Sequence, residues 1–348
     1  MKRLLGAVAL LLSVAVPTSA NAALQQLSNL FVFSDSLSDG GNSGLLSQAA
    51  TGGTVTFPPP PYYNGQYSNG PVAVEYLWNT YNPGDTSFRP SVPGVSNPPG
   101  GTNYAIGGAT TGLESFNSVN PNVPAALQPV YAQKSNDWQL ATFAAQSPVF
   151  DPATSLFVVW LFPNDVFYAD TTGTLPGTVP GSAGGANLIS NGVANIVATV
   201  QTLAAAGAQH FLVPNMPDLG ETPAFLGDPA LSGLSALFNS SLGMAMSALD
   251  AALPSAEIIQ FDTAGALREI IDNKAAYGFE VANQACLDHF GECNPDTWVF
   301  WDGVHPTTRT HEILGAKFYA AVVPEPSVIL LLAIGLLGLG VTGRRKAL

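Results

Sequence analysis

The 348 residues include 11 Lys and Arg against 24 Asp and Glu, a net charge of −13, and 47% of them are hydrophobic. So acidic a surface repels a polyanion backbone and excludes nucleic acid as a partner, while the length and apolar content suffice to bury a large core. With two cysteines, four scattered histidines and no C-x-x-C, the chain offers no recognisable ligand set, so neither a metal nor another cofactor is expected.

The chain opens MKRLLGAVALLLSVAVPTSANA. Lys2 and Arg3 precede an apolar run, and Ala20 and Ala22 stand as an A-x-A cleavage site, so residues 1–22 are predicted to be a secretory signal peptide. A first strand, NLFVF at 29–33, runs directly into SDSLSDGGN, which holds Ser36 between Asp35 and Asp39. Residues 51–71 are rich in Gly, Pro, Asn and Tyr and read as a loop, and PVAVEYLWNTY behind Ser68-Asn69-Gly70 has helical spacing. A second loop covers 83–104 and runs into GGTNYAIGGATT at 100–111. A helix is predicted from 136 (NDWQLATFAAQ), then a strand at 155–162 (SLFVVWLF) that ends on Pro163, Asn164 and Asp165, then a loop at 171–185.

Helix and strand continue to alternate. A helical segment starts at 187, HFLVP at 210–214 is a strand, and a second helical segment starts at 234. EIIQF at 257–261 and TWVFW at 297–301 are further strands, and a last helix begins at 307. Runs that are apolar on both faces, separated by amphipathic helices, indicate an α/β fold whose parallel sheet is covered on both sides. Cys286 and Cys293 close a short loop, and in an exported chain the default is a disulfide. After VVPEPS comes the run VILLLAIGLLGLGV at 328–341, apolar on all faces, and then Arg344, Arg345 and Lys346, an order suited to membrane contact with a cytoplasmic stop. Between the two terminal segments six cations face 23 carboxylates.

Ligands of an open parallel sheet bind beyond the carboxyl ends of its strands, and four segments are predicted to meet there. Ser36 comes just after the first strand. Gly107 and Gly108 offer backbone amides that an oxyanion can approach, and Asn164 offers a carboxamide donor. Asp302 and His305 sit across a tight turn, a spacing that lets the carboxylate hold one imidazole nitrogen while the other takes a serine proton. No serine has the flanking glycines of the G-x-S-x-G elbow, which disfavours the ordinary α/β-hydrolase arrangement.

In this order, FSDSLSDGGN, NYAIGGATT, FPND and DGVHP resemble the GDSL lipases and esterases, the SGNH hydrolases. NGQYSNGPVAVEYL and VPNMPDLGETP extend the resemblance over nearly the whole of residues 23–322, the expected hydrolase domain. The resemblance implies a three-layer α/β/α sandwich, flavodoxin-like. It further implies Ser36 as nucleophile, His305 as general base, Asp302 as its orienting carboxylate, and an oxyanion hole made by the Ser36 and Gly108 amides with Asn164. There are two departures: Ser34 replaces the glycine of the name-giving motif, and Phe162-Pro163 stands where the family reads Gly-x, a change expected to reshape the pocket beside Asn164. The tail at 323–348 resembles the PEP-CTERM sorting tails of Gram-negative bacteria, which implies a membrane sorting peptidase as partner and a final place in the envelope, on the surface or outside the cell.

The expected activity is that of a secreted serine ester hydrolase acting on carboxylic or lipid esters through an acyl-serine. Alternatives on the same site are a lipid acyltransferase and a polysaccharide O-deacetylase, and one of another class is a non-catalytic surface or matrix protein. Asp35, Asp39 and Asn42 are read as local scaffold, Asp165 as a cap for the segment after it, and His210, His289 and His311 as structural. Phe162, Phe167 and Tyr168 are candidates for an acyl pocket or for core.

Overall fold

The computed structural model describes residues 24–92 and 99–323, so the expected signal peptide and all but the first residue of the expected tail lie outside it. In chain order the elements begin β1 Asn29–Ser34, α1 Asn42–Ala50, α2 Ala73–Tyr81, β2 Arg89–Pro90, β3 Gly101–Asn103, α3 Gln128–Tyr131 and α4 Asn136–Gln146. They continue β4 Ser155–Trp160, α5 Pro163–Thr172, α6 Leu188–Ala205, β5 His210–Pro214, α7 Pro229–Ala252, β6 Glu257–Phe261 and α8 Thr263–Asp272. The last are β7 Val281–Ala285, β8 Trp298–Phe300 and α9 Thr308–Val322.

Six strands pair in parallel in the order β2-β3-β1-β4-β5-β6. Setting aside the two-residue edge strand β2, this is the flavodoxin order 2-1-3-4-5, with β1 flanked on one side by β3 and on the other by β4. The alternation of side chains along each strand divides the core in two. Leu30, Val32, Leu156, Val158 and Leu212 pack against α2, α8 and α9 on one face. Phe31, Phe33, Phe157, Val159 and Phe211 pack against α4, α6 and α7 on the other. Both faces of the middle strands are therefore buried, and the three-layer sandwich is the consequence.

One strand departs from the reading of the sequence. The TWVFW run does not extend the central sheet: β8 pairs with β7 alone, in a separate two-stranded parallel sheet. Val299 and Phe300 are fully buried in the α2/α9 layer, so the run has the apolar character of a central strand without being one. Cys286 and Cys293, joined as a disulfide, lie between β7 and β8.

Candidate active site

The topological switch falls at β1 and β4, because the chain leaves β1 toward β3 on one side and returns to β4 on the other. A crevice forms where strand order reverses, and Ser36, two residues past the end of β1, lies at it. The serine is held from behind. The Ser34 hydroxyl donates to the Trp160 carbonyl at 2.7 Å, and Gln139 of α4 clamps the Ser34 backbone from both sides, accepting from its N–H at 2.9 Å and donating to its carbonyl at 2.7 Å. Beyond Ser36, Asp39 accepts from the Gly41 and Ser43 amides at the start of α1 and from the Gly107 amide at 2.8 Å. Asn42 donates to the Asn103 and Ala105 carbonyls, both at 2.8 Å. The scaffold expected around the serine is present, and it also anchors the glycine loop.

His305 comes from the other sheet. Between β8 and α9 the chain turns back on itself, with an antiparallel bridge from Phe300 to Pro306, and Thr307 caps α9 by accepting from the Thr310 amide. In that turn Asp302 Oδ1 accepts from the Val304 and His305 amides at 2.9 and 2.8 Å. The two sets of contacts meet at the imidazole: Nδ1 lies 2.7 Å from Asp302 Oδ2, and Nε2 lies 2.8 Å from Ser36 Oγ. The His305 and Asp302 side chains are 14% and 16% exposed, enough for a substrate to reach them and too little for bulk water to screen them. Burial favours the neutral imidazole, but the facing Asp302 carboxylate outweighs it and holds His305 above its ordinary value. Burial likewise pushes Asp302 up, yet His305 and the turn amides bring it below the usual carboxylate range.

Three candidate donors, on Ser36, Gly108 and Asn164, line one cavity. Among the described residues, the amides of Ser36 and Gly108 have no hydrogen-bond acceptor, and Asn164, in the first turn of α5, donates to Asp35 Oδ2 at a long 3.3 Å. Gly108 has φ +81, and a Cβ there would lie 2.5 Å from the Asn117 side chain, so only glycine lets the loop pass. Asp165 does not cap the residues after it: its carboxylate receives the Thr111 amide and hydroxyl, tying α5 to the glycine loop. Burial pushes both Asp35 and Asp165 up to about 7.

These groups open into a cavity of about 650 Å³ whose walls carry Leu37, Phe57, Phe116, Phe167 and Phe225. Phe116, Phe167 and Phe225 form a ladder, with ring centroids 5.5 and 5.6 Å apart. Among the described residues no Lys or Arg lines the cavity, whereas Asp35 and Asp302 do.

Residues 30–318 match the GDSL-like Lipase/Acylhydrolase family. The chain belongs to that family. It is therefore an ester hydrolase by descent, and residues 322–346 match the PEP-CTERM protein-sorting motif, a C-terminal sorting signal of exported proteins in Gram-negative bacteria. The GDSL esterase/lipase EXL2 of Arabidopsis thaliana is 26% identical over 364 residues, 88% of this chain and 92% of the plant protein. An uncharacterized Pseudomonas putida protein from the trpE-trpG intergenic region is 27% identical over 338 residues, 88% of this chain, and the chain spans about half of that protein's length. Among solved structures, the acetylxylan esterase Axe2 of Geobacillus stearothermophilus aligns with a TM-score of 0.45 at 14% identity, covering 86% of this chain and 96% of the other.

Within the GDSL family the two departures have local explanations. The Ser34 hydroxyl is fully buried and satisfied by Trp160, so the lost glycine leaves a strand-to-strand tie in its place. Phe162 does not shape the pocket. Its φ is +132, a backbone that suits glycine, and its ring turns away from the cavity to stack on Phe238 with centroids 3.6 Å apart. Gly192 of α6 makes the room: a Cβ there would lie 2.4 Å from the ring. Of the three aromatic candidates for an acyl pocket, only Phe167 lines the cavity.

The three other histidines stand apart. His210 faces Glu257 at 3.1 Å, His289 packs beside Trp298, and His311, driven neutral by burial to about 3, accepts the Ala73 amide. Sequence reading missed Tyr62, Gln139 and Asn117. The last donates to the Gly107 carbonyl at 2.9 Å and to the Tyr67 hydroxyl at 2.8 Å. Only the Tyr-rich composition of 51–71 hinted at any of them.

Proposed function

We propose that this GDSL hydrolase cleaves carboxylic esters with an apolar acyl part through an acyl-Ser36 intermediate. The observation that carries the reading is the unbroken chain Asp302–His305–Ser36 at 2.7 and 2.8 Å, at a cavity that Gly108 and Asn164 also line. As Ser36 Oγ bonds to the ester carbonyl carbon, its proton passes to His305 Nε2, and Asp302 holds the imidazolium that forms. The carbonyl electrons move onto oxygen, where the Ser36 and Gly108 amides and the Asn164 carboxamide receive them, Asn164 exchanging its long bond to Asp35 for a better one to the oxyanion. The tetrahedral centre collapses, the C–O bond to the alcohol breaks, and the alcohol leaves with the His305 proton. Water, deprotonated by His305, then reverses the sequence to release the acid and restore Ser36.

The apolar walls, and above all the Phe116-Phe167-Phe225 ladder, favour an acyl chain over acetate. The chain is proposed to be exported by residues 1–22, held at the membrane by the tail and released by a sorting peptidase, placing the hydrolase domain of residues 23–322 in the envelope or outside. The test is Ser36→Ala against a panel of p-nitrophenyl esters from acetate to long chains. Turnover is expected to fall to background with the fold intact, and the wild-type protein is expected to prefer esters longer than acetate. Retained turnover in the variant removes the reading.

A further inference from the structure

One segment of the Gly/Pro-rich loop, residues 62–69, makes four successive contacts along the turn that carries the acid and the base. The Tyr62 hydroxyl donates to Asp302 Oδ2 at 2.7 Å. The Tyr67 ring packs on the His305 imidazole with centroids 5.2 Å apart. The Ser68 hydroxyl donates to the Pro306 carbonyl at 2.9 Å, and the Asn69 side chain accepts from the Thr308 amide at 2.9 Å. Residues 302–308 are thus gripped over their length by a loop more than two hundred positions away in sequence. The same loop supplies one wall of the cavity through Val55, Phe57 and Pro58.

We infer that Tyr62 is a positioning residue for the proposed Ser36 chemistry, acting through Asp302. This rests on the reading above and adds a side chain to it. Asp302 Oδ2 is shared: His305 Nδ1 approaches it at 2.7 Å and Tyr62 at the same distance. The phenol fixes the carboxylate rotamer that faces the imidazole and withdraws part of its negative charge. It thereby keeps Asp302 from stabilising the imidazolium so strongly that His305 is protonated at neutral pH, where the base must be free. Tyr62 can do this because it stays a phenol: burial and then the Asp302 charge both oppose its ionisation. Its ring is held edge-on against Trp301, centroids 6.1 Å apart, so the hydroxyl has little freedom to leave.

The other groups facing this pair are Asp35 just past β1, whose charge raises His305, His311 of α9, which burial and then the His305 charge keep neutral, Asp288, which acts on Tyr62, and Tyr67. None of them donates to Asp302, so removing the Tyr62 hydroxyl leaves Oδ2 with His305 as its one side-chain donor among the described residues.

The experiment is Tyr62→Phe in the full-length protein, with Tyr63→Phe as control, since Tyr63 is an exposed neighbour whose backbone amide bonds to Ser68 and whose side chain makes no hydrogen bond among the described residues to residues 302–308. The pH profile of kcat/KM for a p-nitrophenyl ester and the labelling rate with a fluorophosphonate are measured for each, with thermal melts to confirm folding. For Tyr62→Phe the acid limb is expected to move to higher pH by a few tenths of a unit to about one unit. The labelling rate at neutral pH should fall roughly three- to thirtyfold, while Tyr63→Phe matches wild type in both. A purely structural tyrosine would lower the melting temperature and leave the acid limb in place, and that result overturns the inference, as does a labelling rate within twofold of wild type. Absence of labelling in the wild-type protein overturns the inference together with the proposed function, whereas normal wild-type labelling with an unmoved Tyr62→Phe profile overturns the role of Tyr62 alone.

Discussion

Phe162 offers a test in which the usual ranking of two small residues is inverted. Its side chain is fully buried and stacked on Phe238, so deleting the ring costs about 3–5 kcal/mol. Its backbone, at φ +132 and ψ −32, is one that a residue with a Cβ adopts only under strain, worth about 1–3 kcal/mol. Phe162→Ala loses the ring and keeps the strain. Phe162→Gly loses the ring and the strain, at an added unfolded-state entropy of about 0.5–1 kcal/mol. The glycine variant should therefore be less stable than wild type by a net of about 3 kcal/mol, and the alanine variant should be less stable again by about 1 kcal/mol, a further ~1–2 °C in melting temperature. Glycine more stable than alanine inside a protein is the diagnostic, read by calorimetry or by denaturant midpoints. Because the ring points away from the cavity and Asn164 keeps its place in α5, both variants should hydrolyse esters within about threefold of wild type, below about 0.7 kcal/mol in the barrier. An alanine variant as stable as the glycine variant refutes the strain, and a loss of activity beyond tenfold in a folded variant refutes the separation of Phe162 from the site.

The site geometry sets two further outcomes. Gly108→Ala places a Cβ 2.5 Å from Asn117 at φ +81, so kcat for ester hydrolysis should fall by a factor of at least about 100, the loss of one oxyanion donor, and single-turnover acylation assays check it. His305 must be neutral to accept the Ser36 proton, and Asp302 holds it above its ordinary value of 6.5; kcat/KM should accordingly decline as pH falls through a midpoint above 6.5, and a plateau extending below pH 6 contradicts the assignment of the base.

How far these features were legible depended on whether local pattern or tertiary docking decides them. β1, β4 and β5 read correctly because a strand buried on both faces is apolar along most of its length, as Phe31, Val32 and Phe33 show, and the edge strand β6 reads from Ile258, Ile259 and Phe261 alone. β8 has the same character for a different reason: Val299 and Phe300 are buried beneath α2 and α9 rather than between strands of the central sheet, and composition does not distinguish the two. β3 was hidden in a glycine-rich stretch, since Gly101 to Asn103 pair with β1 through backbone alone. The start of α5 reads as the end of a strand because it begins Pro163-Asn164-Asp165, residues that serve turns as well as first helical turns. The residues brought together at the crevice, Ser36, Gly108, Asn164, Asp302 and His305, were visible as blocks at strand ends. Tyr62, Gln139 and Asn117 were not, because each acts through a contact with no sequence period: Tyr62 reaches Asp302 from a loop, and Gln139 reaches Ser34 across a layer of the sandwich. Of the two places open to Phe162, pocket or core, residue type could not choose, because it says nothing of direction; at φ +132 the ring stacks on Phe238 in the space that Gly192 leaves.

Among the described residues the cavity lining carries the carboxylates of Asp35 and Asp302 and no Lys or Arg, and this bears on how a turnover ends. An ester enters uncharged and meets no electrostatic opposition. Its hydrolysis creates an anion in a compartment whose described walls hold no cation, within a chain of net charge −13. The acid product is thus destabilised where it is born, and its departure runs downhill in the field of the protein itself.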